Sequence, residues 1–381
     1  MMRRGPAALL SVLLAGCAVI PFGRRPPLPV PPTNPRLLEL PAGRWIKIHQ
    51  QAPGDAVTFV RQSHGGSAFD SRRGRVVLFG SDSHGRDWTN SPLIFDLTTL
   101  QWQRPYADDD VASYRVSAAG VAVAGSDGTH PWAMHTFGAV TYDPAADRIV
   151  VASYPGHMQP GAFTNALAHL WPSVRRHPTW LFDPGSGEWT ALAGEPVHFF
   201  PHSIDYDSTR NLILGYRDHG VYELSAASQE WRSVATPGLL GWGSNAVYDS
   251  GQQALVVFGS HERGNDVVAY WPASGRHRVM PTPGPRPRGA CNVPFAYHAG
   301  LGRSVALIDG EAETGETRWS ETWLYDLGRD RWQRVATADL PFGVGMNYNL
   351  EYDPTHQLLL LVAAPPGEAI AVWALRLDSS C

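Results

Sequence analysis

Basic residues and cysteines are scarce in this chain of 381 residues. The 31 Lys and Arg residues are outnumbered by 35 Asp and Glu, a formal net charge of −4. A phosphate backbone needs a basic surface, so nucleic acid is not an expected partner. The 3 cysteines, Cys17, Cys291 and Cys381, are too few for a disulfide framework. No apolar run beyond the first residues is long enough to span a bilayer.

The first residues have the layout of an export signal. Arg3 and Arg4 precede an apolar run over residues 7–15, and the run leads into Leu14-Ala15-Gly16-Cys17. This tetrapeptide resembles the lipobox of bacterial lipoproteins, which implies cleavage before Cys17 and lipidation of its thiol. Since Ala18 follows, the resemblance implies a lipid-anchored protein of the cell envelope, at the outer membrane or the cell surface. An ordinary secretory signal with a chance cysteine is the alternative.

A proline-rich stretch separates the signal from the rest of the chain. Residues 21–41 read PFGRRPPLPVPPTNPRLLELP, which cannot build a core and predicts a semi-rigid extended spacer. The predicted organisation is a signal peptide over residues 1–16, the lipidated cysteine and its tether over 17–43, and one folded domain over 44–381.

An aromatic-Asp pair recurs through the folded domain near the end of alternating strands. The copies are Phe69-Asp70, Tyr142-Asp143, Tyr206-Asp207, Tyr248-Asp249 and Tyr352-Asp353, with Tyr297-His298 as a divergent one. A turn and an apolar second strand follow each pair, and a later fourth strand carries Trp102, Trp189, Trp231 or Trp332. We interpret the pairs and tryptophans as turn-capping and packing residues. A period of about 40 to 50 residues made of short strands predicts a β-propeller.

The pattern resembles kelch repeats, the repeats of galactose oxidase-like propellers, from about residue 43 to the end. Gly-Ser, Pro-Gly-His or Arg-Asp-His mostly replace the paired glycines of the family. The sixth copy has three strands, and residues 44–48 (RWIKI) are predicted to supply its fourth strand, because pairing the chain ends buries their edges. The predicted fold class is all-β: a six-bladed propeller of four-stranded antiparallel blades, closed by the N-terminal strand. In this register Cys291 and Cys381 are predicted not to pair.

Polar residues gather at one predicted end of the ring. In an antiparallel blade the start of strand one and the end of strand two lie at the same end. Blade by blade, these positions hold His64 and His84, His135 and His157, His202 with Arg217 and His219, Asn245 and His261, Asn292 and Asp309, and Asn347 and Tyr348. Seven of the 15 histidines fall there, which favours a functional site over chance enrichment of polar loops. The longer connections 105–133 and 155–178 are predicted to wall a groove beside them.

The order of His135, His157 and Arg217 is similar to that of the propeller ulvan lyases, which combine two histidines from one blade with a tyrosine and an arginine from following blades. The resemblance covers blades two and three only. It implies β-elimination on a uronate-containing glycan, with His or Tyr as acid and base and Arg217 neutralising the carboxylate. His202 stands where the tyrosine is expected, with Tyr154, Tyr216 and Tyr248 as substitutes.

The predicted catalytic residues are therefore His135, His157, His202 and Arg217. Substrate contacts are predicted for His64, His84, Tyr154, His219, Asn245, His261, Asn347, Trp171 and Arg175. The expected partner is an acidic polysaccharide or oligosaccharide, bound by a monomer that meets the membrane only through its lipid.

Two alternatives stay open beside this lyase. One is a non-catalytic propeller that binds a glycan or a protein partner. The other is a metalloenzyme with a divalent metal on the rim histidines, whereas the lyase itself needs no cofactor. A glycosidase is disfavoured because two opposed carboxylates are not evident on the rim.

Overall fold

The structure is a computed structural model that describes most of the chain. It describes residues 31, 33–57, 59, 64–81, 88–161, 166–194, 197–217, 220–225, 228–236, 243–260, 265–288, 293–310, 319–337, 340–344, 348–365 and 367–377. The predictions on the signal peptide, Cys17, His84, His219, His261, Asn292, Asn347, Cys291 and Cys381 lie outside these residues.

The described residues form an all-β fold, which confirms the predicted class. Strand β1 (Trp45–Gln50) comes first, and sheet I follows with β2 (Gly66–Asp70), β3 (Arg75–Phe79), β4 (Leu93–Asp96) and β5 (Gln101–Gln103). A small sheet follows with β6 (Arg115–Val116), β7 (Ala122–Ala124) and β8 (His130–Pro131). Sheet II contains β9 (Val140–Asp143), β10 (Arg148–Val151), β11 (Trp180–Phe182) and β12 (Trp189–Ala191). Sheet III contains β13 (Ser203–Asp207), β14 (Leu212–Arg217), β15 (Gly220–Ser225) and β16 (Trp231–Ala235).

Three further sheets complete this part of the chain. Sheet IV contains β17 (Asn245–Asp249), β18 (Ala254–Phe258), β19 (Val267–Trp271) and β20 (Arg276–Met280). Sheet V contains β21 (Phe295–His298), β22 (Arg303–Asp309), β23 (Ser320–Asp326) and β24 (Arg331–Arg334). Sheet VI contains β25 (Asn349–Asp353), β26 (Leu358–Ala363), β27 (Ala371–Leu375) and β1. Helical segments are α1 (Pro35–Leu38) and the 3-10 turns Val111–Ser113, Gly156–Met158 and Trp171–Ser173.

The second strands lie in the core because both of their faces are covered by neighbouring sheets. In β3, Val76 packs in a cluster with Leu358 and Leu360 of sheet VI. The next residue, Val77, packs on the other face with Ile149 of sheet II. Successive side chains of a strand point to opposite faces, so a strand between two sheets needs a continuous apolar run. The apolar runs therefore mark the second strands, as predicted.

The first strands of sheets I to VI contact one another in cyclic order. Each strand contacts the next in the series β2, β9, β13, β17, β21 and β25, and β25 contacts β2. Together they line an axial cavity of about 350 Å³. Strand β1 pairs antiparallel with β27, with Trp45 opposite Leu375, which confirms the predicted pairing of the chain ends. The arrangement is compatible with a β-propeller.

Two of the fourth-strand tryptophans, Trp231 and Trp45, tie neighbouring sheets together. The Trp231 indole N–H donates to Thr179 Oγ1 in the segment before β11, at 2.8 Å. The Trp45 indole N–H donates to Thr322 Oγ1 of β23, at 3.1 Å. Because both bonds reach a threonine of the preceding sheet, Trp45 is the structural counterpart of Trp231, as the repeat alignment predicts.

The aromatic-Asp pairs cap turns and form hydrogen bonds between neighbouring sheets, which confirms their interpretation as structural residues. Asp70 Oδ1 accepts the backbone N–H groups of Arg72 and Arg73 at 3.1 and 3.2 Å. The Tyr297 hydroxyl accepts the N–H of Gly251, in the preceding sheet, at 3.1 Å. Tyr352 and Asp353 show both roles in one pair: the Tyr352 hydroxyl accepts the N–H of Gly300 in the preceding sheet at 3.3 Å, and Asp353 Oδ1 accepts the N–H of Thr355 at 2.8 Å.

His298 replaces the capping aspartate in sheet V and keeps its role. Its Nδ1 accepts the N–H of Leu301 at 3.2 Å. The side chain is 2% exposed, and burial lowers the pKa of His298 to about 4. Neutral imidazole is therefore the form that the fold accommodates.

We expect the free energy of unfolding to fall as the pH drops from about 6.5 to about 4, by up to about 3 kcal/mol from His298. In this window the unfolded chain binds a proton that folded His298 does not bind, so acid favours unfolding. Asn at position 298 can accept the same bond without titrating. Urea denaturation of His298→Asn should show a smaller loss over this range. His277→Asn, an exposed site on β20, is the control, and an equal loss in both variants would contradict the assignment.

Residues 34–40 are docked on the sheets, so the predicted extended spacer is wrong for this segment. Leu37 is 1% exposed, and Arg376 donates to the carbonyls of Leu37 and Leu40 at 2.8 and 3.0 Å. The Asn34 N–H donates to His356 Nε2, in the turn after β25, at 2.9 Å. The proline-rich composition does not predict this docking, because one leucine and a capping asparagine are enough to hold a short segment on the sheets. Among the described residues, no helix is long and apolar enough to cross a membrane.

Candidate functional site

Three predicted rim histidines form a row at the end of the fold where first strands begin. We call His64, His135 and His157 the imidazole row. The ring centroids of His64 and His135 are 4.3 Å apart, and those of His135 and His157 are 4.0 Å apart with nearly parallel planes. His135 is 4% exposed, whereas His64 and His157 are half-buried. Only the outer two rings are therefore accessible to a large substrate.

The backbone around the row is tied to two sheets. His64 has a φ of 67°, in the left-handed region that disfavours most side chains. Its carbonyl accepts the N–H groups of both Thr136 and Phe137, each at 2.9 Å. Thr136 Oγ1 in turn accepts the N–H of Gly66 at 2.8 Å. The strained histidine is thus locked between the start of β2 and the segment before β9, a pattern found at functional sites.

A second group forms around His198. The Tyr154 ring lies 3.9 Å from the His198 ring and 5.0 Å from the His177 ring, measured between centroids. Arg217 Nη1 donates to the carbonyl of His198 at 2.9 Å. Tyr154 and His157 belong to one short connection. Tyr154 therefore shares a connection with His157 of the imidazole row, and it shares His198 as a neighbour with Arg217.

The two long connections pack against each other beside these groups. The carbonyl of Gly120 accepts the N–H groups of Arg175 and Arg176 at 2.8 and 3.1 Å. Trp171 stacks on His177 with 5.6 Å between centroids, and burial lowers the pKa of His177. Trp171 is half-buried and the Arg175 side chain is exposed. Trp171 thus borders the second group, and the backbone of Arg175 ties this connection to the first one.

The run of three aspartates at 108–110, in the first connection, is structural, although three adjacent carboxylates are typical of a solvated loop. Asp108 Oδ1 accepts the N–H groups of Asn90 and Ser91, each at 3.1 Å. Asp109 Oδ2 lies 2.8 Å from His130 Nδ1, and Asp110 caps the 3-10 turn Val111–Ser113. Each carboxylate has its own partner, and this arrangement separates like charges that are adjacent in sequence.

Other predicted residues lie away from the groove. His202 is 1% exposed, with its Nδ1 3.3 Å from Ser244 Oγ, and it can act on a bound polymer only through another residue. Asn245 lies in the wall of the axial cavity and donates to the carbonyl of Val293 at 2.7 Å. Tyr216 is buried, and the Tyr248 hydroxyl donates to Thr209 at the opposite end of the sheets. Tyr216 does contact predicted catalytic His202, with 6.3 Å between ring centroids, but it is 1% exposed, whereas half-buried Tyr154 retains surface for a substrate.

Two carboxyl groups of the axial cavity, those of Glu351 and Asp205, were not among the predicted site residues, because the site was predicted from strand ends only. Glu351 Oε1 accepts the Ser67 hydroxyl at 2.5 Å, and burial raises the pKa of Glu351 to about 7. Asp205 accepts the N–H groups of Tyr248 and Tyr206 at 2.6 and 2.7 Å, and burial raises its pKa to about 6. An acidic residue directly before a Tyr-Asp pair, in IDYD and LEYD, is the signal that could have found them.

The comparisons with known proteins are negative. No model of a protein family matches this chain, and no curated protein matches it. Geometry and chemistry are therefore the basis for its function.

In the described part of the chain, there is no group of three or more His, Cys, Asp or Glu side chains that could hold a metal ion. In the imidazole row, the near-parallel rings of His135 and His157 lie face to face, whereas metal ligands converge through in-plane nitrogen lone pairs. His84, His219 and His261 lie outside the described residues. The described geometry is a stack of rings whose outer members, His64 and His157, are half-buried and retain surface for a substrate.

Proposed function

We propose that this chain is an envelope-anchored polysaccharide lyase that cleaves a uronate-containing glycan by β-elimination. Its domain would be a six-bladed kelch-type propeller closed by β1. The cyclic contacts of the six first strands and the pairing of β1 with β27 support that architecture. The observations that support the activity are the imidazole row, the position of Tyr154 on the same connection as His157, and the contacts of both Tyr154 and Arg217 with His198.

The proposed reaction moves one proton on and one proton off the enzyme. A basic group takes the proton from the ring carbon beside the uronate carboxylate. The electron pair forms a carbon–carbon double bond and expels the glycosidic oxygen, which receives a proton from an acidic group. Arg217 pairs with the carboxylate and stabilises the negative charge that develops there.

His157 and Tyr154 are the proposed proton-transfer residues. Both are half-buried, so each retains surface for a substrate, and both lie on the connection after β10. Buried His135 stacks on His157 and would orient its ring. His198 would do the same for Tyr154, since their centroids are 3.9 Å apart. His64 closes the row, and Trp171 and Arg175 would contact neighbouring sugars.

The docking of residues 34–40 supports a proposed orientation on a membrane. Asn34 bonds to His356 and to the carbonyl of Leu97, both in turns at the end of the sheets opposite the imidazole row. A lipid on Cys17 would therefore anchor the domain through the face that has no predicted site. The groove would point away from the membrane, toward a polymer.

A spectrophotometric assay tests this function. Elimination creates an unsaturated uronate that absorbs in the ultraviolet, so we expect absorbance to rise when the domain meets its polymer among uronate polysaccharides. Binding of a uronate polymer without any rise, across the panel, would overturn the lyase and leave the glycan-binding propeller. Activity that disappears on chelation and returns with zinc or copper would instead favour the metalloenzyme.

A further inference from the structure

The axial cavity has the chemistry of a binding site separate from the groove. Its volume of about 350 Å³ lies within the range of about 300 to 1,000 Å³ typical of ligand pockets. Glu351 of sheet VI and Asp205 of sheet III both line it. Since these sheets are three apart in the cyclic order of six, the two carboxyl groups lie on opposite walls.

The described residues that line the cavity carry no positive charge. They include neither Lys, Arg nor His, and the acceptors Glu351 and Asp205 are joined there by hydroxyl groups such as those of Ser67 and Thr141. Burying a carboxylate without a cation costs free energy. A bound cation would offset that cost.

Aromatic rings make up much of the remaining wall. The tyrosines of the repeated pairs line it toward one end, together with Phe69, and Phe295 and Tyr348 lie among the other lining residues. Aromatic faces attract organic ammonium groups and contact their methylene carbons, whereas a small hydrated metal ion gains little from them. Carboxylates on opposite walls, with aromatic rings elsewhere in the lining, suit a flexible ligand with a charge at each end.

We propose that the axial cavity binds an aliphatic diammonium ion, with one ammonium group at Glu351 and the other at Asp205. The site is independent of the proposed lyase activity. Binding requires both carboxyl groups in the ionised form, while the ligand stays protonated throughout the physiological range.

The pH dependence follows from the groups that face the cavity. Among the described lining residues the titratable groups are Glu351, Asp205 and the tyrosines 142, 206, 248, 297, 348 and 352. Tyrosines do not ionise near neutrality. The raised pKa values of Glu351, about 7, and Asp205, about 6, mean that the empty cavity holds protons that the ligand must displace. Affinity should therefore fall as the pH decreases from about 8 to about 5, and binding near neutrality should release protons.

Calorimetric titration with 1,4-diaminobutane, beside the neutral 1,4-butanediol, tests the proposal. We expect the diamine to bind and Glu351→Gln to weaken it by about tenfold or more, since one charge-assisted contact is lost. Gln keeps the bond from Ser67. Glu230→Gln removes an exposed carboxylate and should change the affinity less than about twofold. Proton release, measured in buffers of different ionisation enthalpy, should be smaller in Glu351→Gln.

Three results would overturn the proposal: no diamine binding, equal binding of the diol, or equal weakening by Glu351→Gln and Glu230→Gln. Circular dichroism checks that Glu351→Gln is folded. If it is not, Asp205→Asn provides the same comparison from the opposite wall. Because no polysaccharide is used, failure here is distinct from failure of the lyase.

Discussion

Replacing His157 with asparagine should lower the rate of β-elimination about 10²- to 10⁴-fold, the usual contribution of a general acid or base. His157 is the ring of the imidazole row that is both half-buried and stacked on His135. Asparagine preserves polarity and hydrogen bonding but cannot carry the transferred proton. The loss should appear in kcat rather than KM, measured from initial rates of ultraviolet absorbance.

His169→Asn is the matched control for this substitution. His169 is exposed and lies on the same connection after β10, with its Nδ1 2.9 Å from the carbonyl of Ala166. Its variant should keep kcat within about twofold, as expected for a surface substitution. If His157→Asn also keeps its kcat while both variants are folded, then His157 is not a proton-transfer residue.

Replacing Arg73 with methionine should lower the free energy of unfolding by about 3 to 5 kcal/mol, because it leaves two buried carboxylates without their cation. Arg73 Nη1 donates to Asp70 Oδ2 at 2.9 Å and to Asp147 Oδ1 at 2.7 Å, and Nη2 donates to Asp147 Oδ2 at 2.8 Å. Asp147 belongs to sheet II, so Arg73 fastens sheet I to its neighbour. Urea denaturation measures the change.

The pH dependence separates this electrostatic loss from a packing loss. Burial would raise the pKa of Asp147, but hydrogen bonds from Arg73 and Tyr142 lower it to about 2. A lowered carboxyl pKa contributes stability above the unfolded value of about 3.9, which disappears as the pH falls through about 2. Burial already raises the pKa of Asp70 beside Arg73. Without Arg73, the pKa values of Asp70 and Asp147 would both rise, which favours protonation on folding. The difference in the free energy of unfolding between Arg73→Met and the wild type should therefore become smaller as the pH falls.

Arg329→Met is the control for Arg73→Met. Arg329 also follows an aspartate by three residues and lies 3.5 Å from Asp326, but its side chain is 74% exposed. Exposed ion pairs contribute about 0 to 1 kcal/mol, so this variant should be close to wild type. Equal destabilisation by both substitutions, or a constant difference across pH, would contradict the inter-sheet role of Arg73.

Local patterns were enough to predict much of the fold and part of the site. Turn caps such as Asp70 depend on residues two or three positions away, so the sequence shows them. Buried strands such as β3 are recognised because side chains alternate between the two faces with a period of two residues. The partner of the N-terminal strand followed from counting strands in the sixth copy. The groove residues followed from strand polarity, which assigns His64, His135 and His157 to one end. The docked segment 34–40 was missed because composition does not show where a single leucine finds a pocket.

The sequence by itself determined the repeat, the strand order within each sheet and the end to which each loop belongs, since these depend on residues close together in the chain. Only the tertiary structure decided that His135 is enclosed between two histidines, that His202 is buried, and that Glu351 and Asp205 share a cavity. Such contacts join residues far apart in sequence. They depend on side-chain torsions and on how the six sheets pack, and no local pattern encodes these.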